Sequence, residues 1–453
     1  MLVIDSFDGA VHSSTNTRDS GIVSYSTVLF HSDYFMYDVS SATSTCILTW
    51  MNSLTGETRE TLFPLLIPIY KEQQQLRLKA ASIRDGCTFK FYQMHDAKFV
   101  YTLTAHAGWN STNSPFLLCG CNKGEGVGDD KHVCTLIPDT EQLVLYERSE
   151  QQWLTIDSKS DNKKIQQKET EKYKKWIQNN NKGVSHFGLH PSLLPLSAIR
   201  VDVFHMGCSV GKRMISYLRS FAGRQGPKLE SKLFKILKTV WSAGVLCLWQ
   251  VKKKFSQLLG IEIHAFVLKC PEIATFLRSK ESGLRQTRKV VALAKSLDIW
   301  YVVEKHLKRG RVDENEVQSF PLEIAEFKKN IDLFYECGSD SFLTNEEVGD
   351  DETYYLHALK FYIPSHASKT WTDHKCGIGV FTMQGFERRN KESKNIRRRF
   401  NNMRNQMLAQ ILKRLWDSYF YNDDYVQLDA VEEMVEDILQ RQGNDDGDDV
   451  QAV

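Results

Sequence analysis

TFKFYQMHDAKFV, residues 88–100, is the stretch on which the fold turns. Phe89 and Phe91 alternate with Lys90 and Tyr92, the period-two pattern of a strand, and the strand closes at Asp96. AKFVYTL follows directly, so Asp96 reads equally as the N-cap of a short helix. Upstream, LVIDSF, GIVSYSTVLF and TSTCILTWM are rich in Val, Ile, Thr and aromatic residues and are separated by polar Gly, Ser and Asp stretches. They predict three strands of a meander. The first is followed by Asp8-Gly9-Ala10, an Asp-Gly pair that by itself suggests a turn. Between the meander and the fourth strand, Leu62, Leu65, Leu66, Ile69 and Tyr70 recur at helical spacing, with Pro64 and Pro68 expected to delay or kink the helix.

The chain has 453 residues, 42% hydrophobic and 25% charged, enough to bury a large core in two or three compact units. No signal-peptide pattern and no run approaching twenty apolar residues is present, which argues against secretion and membrane spanning. Ten scattered cysteines fit reduced thiols of the cytosol or nucleus; only Cys119, Cys121 and Cys134 cluster. The net charge of +2 hides an uneven distribution, because a basic run from Arg388 to Arg399 is offset by the acidic tail GNDDGDDVQAV, expected to be disordered.

Beyond Asp96, SPFLLCGCNKGEG reads as a loop holding a Cys-x-Cys, and SKSDNKKIQQKETEKYKKWIQNNNKG as a polar helix or a mobile, solvated insertion. From Leu189 to about Asp340 helical patterns dominate, VDVFHMGCSVGKRMISYLRSF and SKLFKILKTVWSAGVLCLW most clearly. In the basic run, Glu387, Lys391, Lys394 and Arg398 fall on one helical face, while Ile396, Phe400, Met403, Met407 and Ile411 fall on another. One face suits a core and the other an anionic partner. A lone carboxylate opening a phosphate-facing basic stripe is what a metal-dependent DNA enzyme needs, since metal ions neutralise the acid and the cations hold the flanking backbone. Taken as an isolated charge run, the same stripe reads as a solvated helix, with Glu392 pairing locally with Arg388 or Arg389.

Strand, strand, strand, helix, strand is the order in which a ribonuclease H-like core begins. In that architecture an acidic residue on the first strand meets another at the tip of the fourth, and Asp8 and Asp96 stand at those places. The expected fold is α/β, a mixed five-stranded ribonuclease H-like sheet with a large, mostly helical insertion. Its parts are expected at 1–110 (first part of the core), 111–350 (insertion with the Cys loop and helices), 351–435 (a zinc-region helix, the helix of Glu387 and C-terminal helices) and 436–453 (acidic tail).

The ordered blocks SFDGA with VSYSTVLF, TFKF with HDAKFV, the Cys loop, DVFH, YYLHALKFYIP and GIGVFTMQGFERRNK resemble the catalytic core of the V(D)J recombinase and its Transib transposase relatives over roughly residues 2 to 420. The resemblance implies DNA cleavage and strand transfer by three carboxylates, Asp8, Asp96 and Glu387, holding Mg²⁺ or Mn²⁺. Carboxylates suit this because they can bridge two divalent ions about 3.5–4 Å apart. It further implies DNA contacts from His205, Asn390, Lys391, Lys394 and Arg398, a homodimer acting on double-stranded DNA, and a nuclear location. His205 reads equally as a satisfied core histidine.

The family places a DNA-binding and dimerisation region ahead of the first catalytic strand, whereas Met1 lies seven residues ahead of Asp8. Its zinc site uses Cys-x-x-Cys and His-x-x-x-x-His. Here Cys119-Gly-Cys121 and His357 match three ligands, but Tyr362 stands at the fourth, so Cys119 and Cys121 read either as plain thiols or as part of a zinc site completed by His366, His132 or Cys134. A second function fits the same residues: a transposase-derived DNA-binding protein without catalysis.

Overall fold

A computed structural model describes residues 2–11, 21–30, 46–53, 59–83, 90–106, 117–121, 134–156, 163–242, 244–246, 258, 260–336 and 354–384. Five strands, β1 (Leu2–Val11), β2 (Gly21–Phe30), β3 (Cys46–Ser53), β4 (Lys90–His95) and β5 (Ile199–Val201), form one sheet in the order β3-β2-β1-β4-β5. β1–β2 and β2–β3 are antiparallel, and β1–β4 and β4–β5 are parallel. The protein is therefore of the α/β class with a mixed sheet and a mostly helical remainder.

The strands differ from expectation in two ways. Asp8-Gly9 is not a turn: β1 continues through it to Val11, with Asp8 opposite Ser24 in the ladder to β2. The pairing with β2 overrides the local turn preference of an Asp-Gly pair. The fifth strand lies inside the stretch that reads as helical. Its three residues are all buried, and three residues are too few to show any period.

α1 (Arg59–Ile83) includes both prolines, which face outward, while Leu62, Leu66, Tyr70 and Gln73 form its buried stripe. That stripe meets β4 through polar as well as apolar contact: Gln93 Nε2 donates to Gln73 Oε1 at 3.0 Å and the Tyr70 hydroxyl to Gln93 Oε1 at 3.4 Å. Burying these amides is tolerable because each has a partner.

After α2 (Ala97–Thr104), α3 (Asp139–Thr155) and the lysine-rich α4 (Lys163–Asn180) pack together. Tyr173 on α4 is buried, its hydroxyl bonded to Ser149 Oγ on α3 and to His186 Nδ1 at 2.7 Å, so α4 is a docked helix with a narrow inner face. α5 (Val203–Gln225) leaves β5 directly, and Gly226 (φ 102°) turns the chain into α6 (Pro227–Leu237). α6 stops at Leu237, short of the helix that the apolar run suggests. Trp241 is instead buried, with Nε1 donating to the Glu262 carbonyl at 2.9 Å.

α7 (Gly260–Arg278), α8 (Arg288–Leu307) and α9 (Glu314–Glu336) supply the largest apolar block. Leu293, Leu297, Trp300 and Leu307 line the inner face of α8, with Trp300 against Phe327 of α9 at 5.6 Å between centroids. The last described elements are α10 (Tyr354–His357), a π-helical turn (Ala358–Tyr362), α11 (Ile363–His374) and a 3-10 turn (Ile378–Val380). No helix among the described residues is long and apolar enough to cross a membrane.

Candidate functional site

Two places gather chemistry, and the first is the C-terminal edge of the parallel strands. In β1 and β4, Leu2 stands opposite Lys90 and Asp5 opposite Gln93; the same offset, carried three positions on, sets Asp8 level with Asp96. In β4 and β5, His95 stands opposite Val201, which sets Asp96 level with Asp202. Register thus brings three acidic positions, far apart in sequence, to one edge. Asp96 caps α2, with Oδ1 accepting from the Phe99 N–H at 2.6 Å. The neighbouring Ala97 N–H donates to the Tyr355 hydroxyl at 3.1 Å, bringing α10 to the same edge.

Asp202 has a different role. Its buried carboxylate caps α5 by accepting from the N–H groups of Phe204 (2.9 Å) and His205 (3.0 Å), and it also accepts from His205 Nδ1 and from the Met383 N–H (2.8 Å). With both oxygens occupied it organises rather than ligates. It fixes the ring of the half-buried His205 through Nδ1, and it pins the segment at Met383. The Phe381 carbonyl accepts from the Val203 N–H at 3.0 Å, a second clamp on the same segment. The Gly377-Ile378-Gly379 turn makes this course sterically feasible: a Cβ on either glycine would stand 2.3 or 2.6 Å from the Arg309 backbone. Arg200 on β5 lies over the Tyr92 ring at 4.1 Å and near Phe381 at 5.8 Å, joining sheet and segment.

Next to His205 a cleft opens between α5, α7 and α8, lined by Phe204, Cys208, His264, Glu304, Lys308 and Gln384. Lys308 Nζ bonds His264 Nδ1 at 2.7 Å and pairs with Glu304. Burial pushes the Glu304 carboxyl up, but hydrogen bonding from His264 and the Lys308 charge hold it below the usual range, so it is ionised. Glu387, Asn390, Lys391, Lys394 and Arg398 lie outside the described residues; the described chain ends at Gln384.

The second place is a cluster of Cys119, Cys121, Cys134 and His357, whose ligand atoms all lie within 4.8 Å of one another. Cys121 and Cys134 sulfurs are 3.2 Å apart, and Cys119 and Cys134 each stand 3.4 Å from His357 Nε2. All three are free thiols. Bonds of about 2.3 Å to sulfur and 2.0–2.1 Å to imidazole imply tetrahedral edges of about 3.5–3.8 Å, within a few tenths of an ångström to half an ångström of these separations. The donor set therefore fits a metal ion such as zinc, and four protein donors would leave no open coordination position. Cys119, Cys121 and His357 were legible from sequence. Of the three candidates for the fourth place, Cys134 takes it; His366 is buried outside the cluster and His132 lies outside the described residues.

The sulfurs do not share their protons evenly. Hydrogen bonds from Cys121 and Cys134 bring the Cys119 thiol down to about 4 despite its burial, whereas Cys134, bonded to Cys119 and Cys121, is pushed up.

The fold and these two places define an α/β protein with an acidic edge on its parallel strands and a Cys₃His metal-type cluster. No protein-family model matches the chain, and no curated protein matches it.

Proposed function

We propose that the protein is a ribonuclease H-like DNA recombinase of the transposase type, hydrolysing one DNA strand to free a 3′-hydroxyl, which then attacks a second phosphodiester and displaces the 3′-oxygen of that strand. The observation that carries this reading is the register of the sheet, in which Asp8 on β1 and Asp96 after β4 come level at the edge toward which the segment before Glu387 is clamped. Asp8, Asp96 and Glu387 would hold Mg²⁺ or Mn²⁺, which supplies Lewis-acid stabilisation of the attacking and leaving oxygens.

The protein's own groups have separate tasks. Asp96 keeps its carboxylate at the edge through the cap on α2, with Oδ1 accepting from the Phe99 N–H. Asp202 holds the His205 ring in place beside the cleft, where it serves to position DNA. Lys391, Lys394 and Arg398 hold flanking phosphates, which makes binding salt-dependent and weakly sequence-specific. The cluster of Cys119, Cys121, Cys134 and His357 holds zinc as a structural ion, tying the Cys loop to α10. Homodimerisation on paired DNA ends and a nuclear location belong to the same reading.

The test is incubation of the purified chain with double-stranded DNA and Mg²⁺ or Mn²⁺. Metal-dependent nicking is expected, lost in Glu387→Gln while DNA binding persists. Neutralising Lys394 and Arg398 together is expected to weaken binding uniformly and to lower the salt slope by about two. Nicking that survives in Glu387→Gln removes Glu387 from the site. DNA binding without nicking by any metal-loaded form replaces the recombinase with a transposase-derived binding protein.

A further inference from the structure

His357 is followed at once by the π-helical turn Ala358–Tyr362, closed by the bond from the Ile363 N–H to the Ala358 carbonyl. In an α-helix, positions five apart are separated by about 140° around the axis. The extra residue in a π turn narrows that angle, and such turns occur mostly as single insertions within α-helices. Here His357 and Tyr362 consequently reach the same atom: His357 Nε2 is 3.4 Å and the Tyr362 hydroxyl 3.2 Å from Cys119 Sγ. The turn is also anchored from behind, Lys360 Nζ bonding Asp332 Oδ1 of α9 at 3.1 Å with both side chains buried.

We infer that Tyr362 is a positioning residue of the metal centre, its phenol donating a hydrogen bond to the Cys119 thiolate and thereby setting how tightly the ion is held. The inference rests on the reading of the cluster as a metal site. Three thiolates and one neutral imidazole around a divalent ion leave a net negative charge in a buried place. A donor aimed at one sulfur draws part of that charge away, and the fully buried Tyr362 hydroxyl, 3.2 Å from Cys119 Sγ, is placed to do so. The Cys121 N–H, 3.4 Å from the same sulfur, acts in the same sense. Outer hydrogen bonds of this kind are worth about ten- to a hundredfold in metal affinity.

The experiment replaces the native ion in the full-length protein with Co²⁺ and measures two quantities: affinity, by competition with a chelator, and the sulfur-to-cobalt charge-transfer band. Tyr362→Phe is expected to weaken Co²⁺ by about ten- to a hundredfold and to move the band to longer wavelength, because an unsupported thiolate gives up electrons more easily. Tyr173→Phe, which removes a buried hydroxyl bonded to Ser149 and His186 between α3 and α4, controls for general loosening and is expected to change neither quantity. Affinity and band both unchanged in Tyr362→Phe overturn the inference, as does an equal loss in the two variants. Failure of the unaltered protein to take up Co²⁺ or Zn²⁺ at all sinks the metal reading itself, an outcome distinct from either.

Discussion

The acidic edge and the Cys₃His cluster are built by opposite means. At the edge, backbone pairing does the work: parallel neighbours β1, β4 and β5 set Asp8, Asp96 and Asp202 level whatever their side chains are. At the cluster, side chains from a loop, from the approach to α3 and from a π-distorted helix converge within 4.8 Å, and no strand register aligns them. A place made by register can exchange its side chains without losing its scaffold, so its residues are free to serve chemistry. A place made by convergence is the scaffold, and its residues are bound to stability.

That contrast can be broken where its effect is largest, at the cluster. Removing the ion with a chelator, or replacing Cys119 by Ser, is expected to cost about 4 kcal/mol of stability under conditions where free zinc stands a thousandfold above its Kd, measured by denaturant unfolding with and without zinc. A shift below about 1 kcal/mol would place the cluster outside the scaffold and remove the contrast.

A smaller effect sharpens it. Burial, then the nearby Arg200 and Lys369 charges, hold His366 down to about 3, so it is neutral in the folded protein at ordinary pH. As pH falls, the unfolded chain takes the proton first, near 6.5. Stability is therefore fully present above about pH 6.5 and declines toward about pH 3, by up to about 1.4 kcal/mol per pH unit for this one group. Acid also strips metal from cysteines, but in both proteins alike, so the difference between wild type and His366→Gln isolates the histidine. The variant is expected to flatten the profile, and parallel profiles would show that His366 does not titrate with folding.

The smallest effect is at the edge. Asp96→Asn preserves the cap on α2, since asparagine caps as well as aspartate, and is expected to alter stability by less than about 0.5 kcal/mol. Metal-dependent nicking by the same variant is expected to disappear. A large loss of stability there would mean that the edge, too, is scaffold.

The strands β1 to β4 and helix α1 were legible because alternation and helical spacing are local signals, and so was the cap at Asp96. Asp8 was located, but the turn chemistry of Asp-Gly misdirected the reading of its surroundings, since ten residues of pairing with β2 outweigh a dipeptide preference. β5 escaped because three buried residues have no period, and with it escaped the position of Asp202 beside Asp96. The cluster was read to three ligands. Cys134 stood among the candidates, and nothing in spacing could choose it over His366.

The sequence by itself determined the α/β class, the carboxylates worth watching and the residue types able to bind a metal, because each depends on residue identity and near neighbours. Tertiary structure alone decided which fourth donor joins Cys119, Cys121 and His357, that Tyr362 faces the same sulfur as His357, and that Asp202 spends its oxygens on His205 and Met383. Those choices depend on where chain segments separated by up to two hundred or more residues come to rest. A one-residue insertion in a helix turn, or a strand of three residues, changes that placement while leaving almost no mark on local composition.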